Sequence, residues 1–401
     1  MEGNKSSGGL PEVRRQNRAH IREVIYRRAP ITRTEIASEL GLTLPTVTTS
    51  VAKMLEDRLL LESPSPDSVG SAGGRPPLLL RFNPKAGYAI GVELGPYETA
   101  ILLSDLEGTI VSKKVLPTAP ADYEEMLCQL ETELTPLLQN KPMGIGLGLP
   151  GFIRQDSGEI RTSVLDRRWN DRPIAADLSR RLGVPVIADN NVRMRARGQA
   201  LFHGKETQDL FAYLFVSKGI ACPLMIRGHV LSGSTSGAGE LGHMVMQPGG
   251  PICPTCGKRG CLESLTGETA ILRDCTEQLQ YGHAGILAKI CGENPPDIRA
   301  VLQAQQAGDT DIADVMENAL RYLGLALANV VNLISPAQVL VEGYIFRYQP
   351  NQELLLKYAR SHFFGLNAQE VQIRFLDFDR YGGALGAASA VIERFCIQGE
   401  I

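Results

Sequence analysis

Three of the eight cysteines in this chain fall within nine residues, Cys253-Pro-Thr-Cys256-Gly-Lys-Arg-Gly-Cys261. Thiols at that density can ligate a metal, pair as a disulfide, or work as a redox couple through the Cys253-x-x-Cys256 spacing. Three thiolates are one short of the closed tetrahedral set of a structural zinc, so a metal reading needs a fourth ligand. The other cysteines, Cys128, Cys222, Cys275, Cys291 and Cys396, are scattered and read as plain buried thiols. Residues 1–20 are polar and Arg-rich, unlike a secretory leader, and no run approaches the ~20 apolar residues that span a bilayer. The expectation is a cytoplasmic protein without membrane insertion, whose reducing surroundings favour metal over disulfide.

A second set of residues suits DNA. Thr32 with Glu35 three positions on forms a capping box, and Ile36, Ala37 and Leu40 make the apolar face of the helix it starts. Gly41 supplies a turn, and a second helix begins near Leu44 with Pro45 in its first turn. Val47, Val51, Met54 and Leu55 face inward. Thr46, Thr49, Ser50 and Lys53 face outward, with Thr48 at the margin. Two short helices joined by a glycine turn match helix-turn-helix spacing, in which short hydroxyl side chains let the second helix approach base edges and phosphates. An ordinary helical hairpin with a solvated face is the bland alternative.

The flanks favour DNA. Residues 59–63 and 78–82 read as two strands joined by a Pro/Gly/Ser-rich segment, in which Arg75 sits between Gly-Gly and Pro-Pro. Such a wing tip could lay a guanidinium in a narrow minor groove, whereas a plain linker would carry no such role. Residues 1–85 hold 13 Lys+Arg against 9 Asp+Glu, a local +4, which leaves 28 against 35, or -7, for the rest. A basic segment on an acidic body suits a nucleic-acid module.

The elements that must position the cysteines begin at Tyr88. YAIGVELG, ETAILLSDLEG and TIVSKKVLP read as successive strands, and a similar run recurs over residues 209–233. Each β-rich start leads into helical stretches, so the spacing predicts a duplicated α/β body with a cleft between its halves. GIGLGLPG (144–151) and PVIADNN (185–191) are strands that end in polar or glycine-rich residues, the usual place for ligands of open sheets. Residues 86–200 then form a first lobe, which a C-terminal helix at about 382–401 completes, and 201–381 a second lobe.

GAGELGHMVM (237–246), CGKRGCLE (256–263), GLGLPG (146–151), ADNNVR (188–193) and the GGRPP tip together make the chain resemble the ROK family of bacterial sugar kinases and repressors. The N-terminal extension places it on the repressor side. The resemblance implies an actin/hexokinase-like two-lobed fold carrying a winged helix-turn-helix. It also implies that His243 joins Cys253, Cys256 and Cys261 around a structural Zn2+, although the family usually has Cys-x-Cys where this chain has Cys253-x-x-Cys256. Sugar hydroxyls would meet Glu240, His243 and Glu263, together with Asn190 and Asn191 at the end of the 185–191 strand.

Kinase chemistry is another matter. Asn191 falls on the position of the family's general base, and an amide cannot accept a proton. Asp189 leaves the strand on a different face. The phosphate loops depart as well: Glu93, Pro96, Tyr97 and Glu98 interrupt the first, only Gly219 survives in the second, and Tyr344 follows Gly343 in the third. A glutamate at the first loop is expected to repel phosphate. No catalytic residue is therefore assigned. The expectation is a non-enzymatic, sugar-responsive transcriptional regulator, a repressor of carbohydrate uptake or catabolism genes. Its partners would be operator DNA, a sugar or sugar phosphate and a second copy, as a homodimer or homotetramer. The rivals are an active sugar kinase with an appended DNA module and a regulator that answers to a protein partner.

Overall fold

The computed structural model describes residues 10–65, 77–365 and 370–399. The chain opens with helix α1 (Leu10–Arg28), which buries Ile21, Val24 and Ile25. A short strand β1 (Ile31–Thr32) leads into α2 (Arg33–Leu40), where Thr32 and Glu35 cap each other reciprocally. Gly41 closes α2 at φ +62°, a conformation that costs glycine nothing. Thr43 caps α3 (Leu44–Glu56), which turns Val47, Val51 and Met54 inward. Strands β2 (Leu60–Pro64) and β3 (Leu78–Phe82) pair antiparallel, and β1 adds to β3. The strand starts one residue later than its apolar run suggests. Leu59 is used instead to close α3, donating its N–H to the Met54 carbonyl at 2.9 Å while Arg58 takes φ +57°. Arg75 lies outside the described residues.

The body contains two sheets of one design. In the first, β4 (Tyr88–Leu94), β5 (Glu98–Asp105) and β6 (Ile110–Pro117) form an antiparallel meander. After helix α4 (Tyr123–Leu134), β7 (Ile145–Leu149) adds parallel to β4. The short pair β8 (Gly151–Ile153) and β9 (Ile160–Ser163) and helix α5 (Ile174–Leu182) follow; β10 (Val186–Asn190) then adds parallel to β7 and α6 (Asn191–Phe202) leaves it directly. The order is β10-β7-β4-β5-β6.

The second sheet repeats it. Strand β11 (Leu210–Val216) carries β12 (Ile220–Ala221), β13 (Leu224–Ile226) and β14 (His229–Val230) as its antiparallel side. Five helices intervene: α7 (Leu262–Thr266), α8 (Glu268–Gln280), α9 (Gly285–Cys291), α10 (Ile298–Gln306) and α11 (Thr310–Ile334). Strand β15 (Gln338–Gly343) pairs parallel to β11, and past α12 (Gln349–Arg360) β16 (Gln372–Leu376) pairs parallel to β15. The order β16-β15-β11-β13-β14 reproduces the first sheet strand for strand. Among the described residues no helix is long and apolar enough to cross a membrane.

The chain ends on α13 (Gly382–Val391) and a π-helical turn, Ile392–Ile397, packed on the first sheet. Contact is close enough to require glycine: a Cβ on Gly91 would lie 1.8 Å from the Ala384 carbonyl oxygen. Among the described residues the N-terminal elements share a core with the first sheet and the C-terminal segment. Ile21, Ile25, Leu80 and Phe82 join one apolar cluster with Leu102, Leu106, Ile392 and Phe395.

Candidate metal centre and interlobe cleft

Residues 244–261 form a looped excursion before α7, tied by bridges between Val245 and Cys261 and between Ile252 and Arg259. The Cys253 N–H donates to the Lys258 carbonyl at 2.7 Å, so the Gly-Lys-Arg-Gly turn folds Cys256 and Cys261 back toward Cys253. His243 ends a short 3-10 turn, Leu241–His243. One ligand atom from each of His243, Cys253, Cys256 and Cys261 lies within 4.8 Å of all the others. Nδ1 of His243 is 3.8 Å from the Cys253 sulfur, and the Cys256 and Cys261 sulfurs are 3.6 Å apart. Ligands about 2.0–2.3 Å from a tetrahedral ion stand at such separations. Burial pushes the Cys261 thiol up to about 12 and raises Cys253, a cost that a cation among the sulfurs would reverse. The donor set therefore fits a metal ion.

Glu263, in the first turn of α7, lies directly beneath this cluster. Its carboxylate accepts from the Thr255 hydroxyl at 2.5 Å and from the Ile220 N–H at 3.3 Å, and the Cys253 sulfur is 3.7 Å away. Thr255 is one of the two residues between Cys253 and Cys256, so the longer spacing brings a hydroxyl to this carboxylate. Glu240, just before the 3-10 turn, is half-buried with a carboxyl raised by burial, against the opposing pull of Arg193 and His243. Arg193 reaches within 4.0 Å of it, and also bonds the Ser236 carbonyl and, at 3.2 Å, Asp189.

At the end of β10 the three polar residues have separate tasks. Asp189 accepts from Gln155 at 2.9 Å as well as from Arg193. The Asn190 side-chain oxygen caps α6 through the Val192 and Arg193 N–H groups, while its Nδ2 donates to the Gly151 carbonyl at 3.0 Å. Asn191 donates its amide to Glu93 at 3.1 Å. Arg193 thus links the end of β10 to Glu240, beside His243 and Glu263, and Asn190, Asn191 and Glu263 are already engaged by protein partners.

Deeper between the lobes, Glu93 and Tyr97 of the expected first phosphate loop, and Glu342 just before the third, bond to protein partners. Glu93, 6% exposed, rests on the first turn of α13, where a Cβ on Gly383 would come within 2.1 Å of its carboxylate. A helix N-terminus favours an anion there. Arg195 of α6 donates to Glu93 at 2.8 Å and to Glu342 of β15 at 2.8 Å, and Tyr213 of β11 donates its hydroxyl to Glu342. The guanidinium is also 4.9 Å from the Phe215 ring centroid and 5.6 Å from that of Phe378. Burial pulls Arg195 down, yet Glu342 and Glu93 leave it raised overall. Glu93, expected to repel phosphate, sits against this helix terminus paired with Arg195. Tyr97 adds a second bridge, bonding Glu268 at the start of α8. Arg195 and Glu342 were missed in the sequence because an arginine in a helix usually reads as solvated. The available signal was Arg193, Arg195 and Arg197 alternating with Met194, Ala196 and Gly198, a helix with no polar face.

On α3, Thr48, Thr49 and Lys53 are exposed, while Thr46 and Ser50 are half-buried. The Thr49 hydroxyl donates to the Pro45 carbonyl at 2.9 Å, and Lys53 pairs with Asp57 at 2.9 Å and Glu56 at 3.2 Å. All five lie on one accessible helix.

A model described as ROK family matches residues 89–394. The xylose repressor of Bacillus subtilis is 26% identical over 393 residues, 96% of this chain and 96% of the repressor. Glucokinase of Thermotoga maritima is 29% identical over 313 residues, 76% of this chain and 97% of the kinase. A solved ROK family transcriptional regulator, a homolog of E. coli Mlc, superposes with TM-score 0.82 at 23% identity, covering 96% of this chain and 97% of that one.

Proposed function

Because this chain belongs to the ROK family, we propose that it is a sugar-responsive transcriptional repressor built on a sugar-kinase-like body that no longer transfers phosphate. The observation that carries this reading is Arg195, bonded at once to Glu93 and Glu342 across the cleft. Phosphoryl transfer needs a base for the attacking hydroxyl and open, donor-rich loops for the phosphates. Asn191 offers an amide where the base belongs and spends it on Glu93. Glu93 itself holds the helix terminus that a phosphate would need.

The DNA module is a winged helix-turn-helix made of α1, α2, α3 and the β2–β3 wing. Thr46, Thr48, Thr49, Ser50 and Lys53 of α3 meet the major groove, and Arg75 serves as the wing's minor-groove residue. Its support is the alignment over almost the whole of a xylose repressor, whereas a glucokinase matched over 97% of its length covers only 76% of this chain. Two half-sites on an operator call for two modules, hence a homodimer or higher homo-oligomer. We assign Zn2+ to the Cys3His centre, since soft thiolates with one imidazole in a closed set suit that ion. When bound, it acts as a structural clamp; Glu240, His243 and Glu263 then face the ligand from one wall and Asn191 from the other. The ligand class is a pentose or hexose, with D-xylose the first to try on the strength of the repressor relative.

In operation the sugar closes the two lobes, and the closed state holds the DNA modules less well; its effect equals its differential affinity for the two states. The test is selection of bound genomic fragments by the full chain, followed by gel-shift titration of those fragments against a sugar panel and a coupled ATP assay. Specific fragments released by a sugar, with no sugar-dependent ATP turnover, are expected. Turnover of ATP with any sugar in the panel, or no specific fragment, refutes the reading.

A further inference from the structure

The N-terminal module is attached to the body by two kinds of contact. One kind is fixed. Tyr26 of α1 donates its hydroxyl to the Leu106 carbonyl, Arg22 donates to the Cys396 carbonyl at 3.0 Å, and the surrounding side chains belong to a single apolar core with the first lobe. The other kind comes from the second lobe. The turn between β13 and β14 carries Arg227 and Gly228 at φ +49° and +81°, and projects onto α1 so closely that a Cβ on Gly228 would stand 2.1 Å from the Arg27 guanidinium. His229 follows. Its Nδ1 is 3.2 Å from Glu393 in the C-terminal helical segment, and its Nε2 is 3.9 Å from Glu23 of α1. Glu23 is also paired with Arg27 at 3.1 Å, and Glu393 with Arg197 of α6 at 3.0 Å.

One imidazole thus joins three bodies: second lobe, first lobe and DNA module. The joint differs physically from the apolar attachment beside it. It borders a cavity of about 200 Å³ lined by His20, Glu23, Arg27, Arg197, His229 and Glu393. The His229 side chain is 54% exposed. Glu393 is buried but keeps Arg197 when the half-exposed imidazole leaves, so this tie can break without stranding its carboxylate. Well-packed apolar contacts, by contrast, have few alternatives.

We propose that the Arg227-Gly228-His229 turn is the lever by which movement of the second lobe reaches the DNA-binding module. The proposal rests on the sugar-responsive reading above for the source of that movement. Closing of the second lobe on the first drags the turn across Glu23 and Glu393, and α1, pinned at Arg22 and Tyr26, is reoriented against the first lobe. The raised pKa of His229, due first to its bond to Glu393, agrees with this tie.

The test uses the full chain, the genomic fragments recovered by selection, and D-xylose as probe. His229→Ala, Glu23→Gln and the double variant are compared with the parent after matched thermal melts. In the parent, D-xylose is expected to weaken fragment binding on the order of tenfold; in each single variant the ratio falls within about twofold of unity, and the double variant adds nothing. D-xylose affinity measured by calorimetry stays unchanged. Hydrogen exchange of α1 in the sugar-free protein, expected to speed up in His229→Ala, is read in parallel. A parental sugar response in both single variants, or unchanged α1 exchange in His229→Ala, overturns the lever. Absence of any D-xylose effect on the parent instead counts against this sugar as effector, and α1 exchange alone then decides for or against the lever.

Discussion

Arg195 and the cluster of His243, Cys253, Cys256 and Cys261 each bring several reactive or charged groups together. A guanidinium buried between two carboxylates is held by Coulomb attraction in a poor dielectric, and removing it strands Glu93 and Glu342 together. Arg195→Ala should therefore destabilise the chain by about 3–5 kcal/mol, whereas Arg195→Met, which keeps the volume, leaves the same unpaired acids. Denaturant unfolding of both reads this directly, and a loss below about 1 kcal/mol in either would mean that solvent reaches the network. On the repressor reading proposed above, Asn191→Asp is expected to show no sugar-dependent ATP turnover in a coupled assay, since the new carboxylate would face Glu93. At the metal site, Cys256→Ser should drop zinc content from about one per chain to a small fraction and lower the melting temperature. Elemental analysis of the purified variant tests it: full zinc occupancy after that substitution would exclude Cys256 as a ligand.

Among the elements, α3 has a buried apolar face and an exposed polar one, the face proposed above to meet DNA. Val47, Val51 and Met54 anchor it, while Thr48, Thr49 and Lys53 are exposed on its other side. Lys53 shares its charge with Asp57 and Glu56 on its own helix, and all three are exposed. A phosphate that displaces those acids leaves a signature in salt dependence. Lys53→Ala is predicted to reduce the slope of log affinity against log salt by about 1, uniformly across bound fragments, with stability unchanged. An unaltered slope would place Lys53 off the backbone path.

At the scale of the whole molecule the joint at His229 links proton uptake to architecture. Glu393 and Glu23 raise the imidazole pKa, burial and Arg27 oppose them, and Arg197 and His20 border the same cavity. A raised folded pKa means that the protonated tie is fully present below the ordinary value of 6.5 and is lost as pH climbs through the folded value. The contact between hairpin and α1 should loosen over that window. Hydrogen exchange of α1, corrected for intrinsic rates, is expected to gain protection on going from above that window to below it, and His229→Ala should abolish the difference. The same trend in His229→Ala would assign the pH effect to another group.

Local chemistry was legible from the sequence alone. The Thr32 capping box, the Gly41 turn, the inward face of α3 and the alternation of strands in each lobe depend on neighbours within a few residues, and the structure has them where periodicity and capping put them. The cysteine cluster was visible too, because nine residues hold three of its ligands, while the likeness to a family supplied His243. The interlobe network was not. Glu93, Arg195 and Glu342 are separated by 102 and 147 residues, and nothing local tells a buried arginine from a solvated one. The tie at His229 was hidden for the same reason, joining residues 23, 229 and 393. Sequence determined which elements form and which atoms could bind a metal. Only the tertiary structure decided that Arg195 bridges Glu93 and Glu342 and that the β13–β14 turn meets α1, because charges pair according to the space they share.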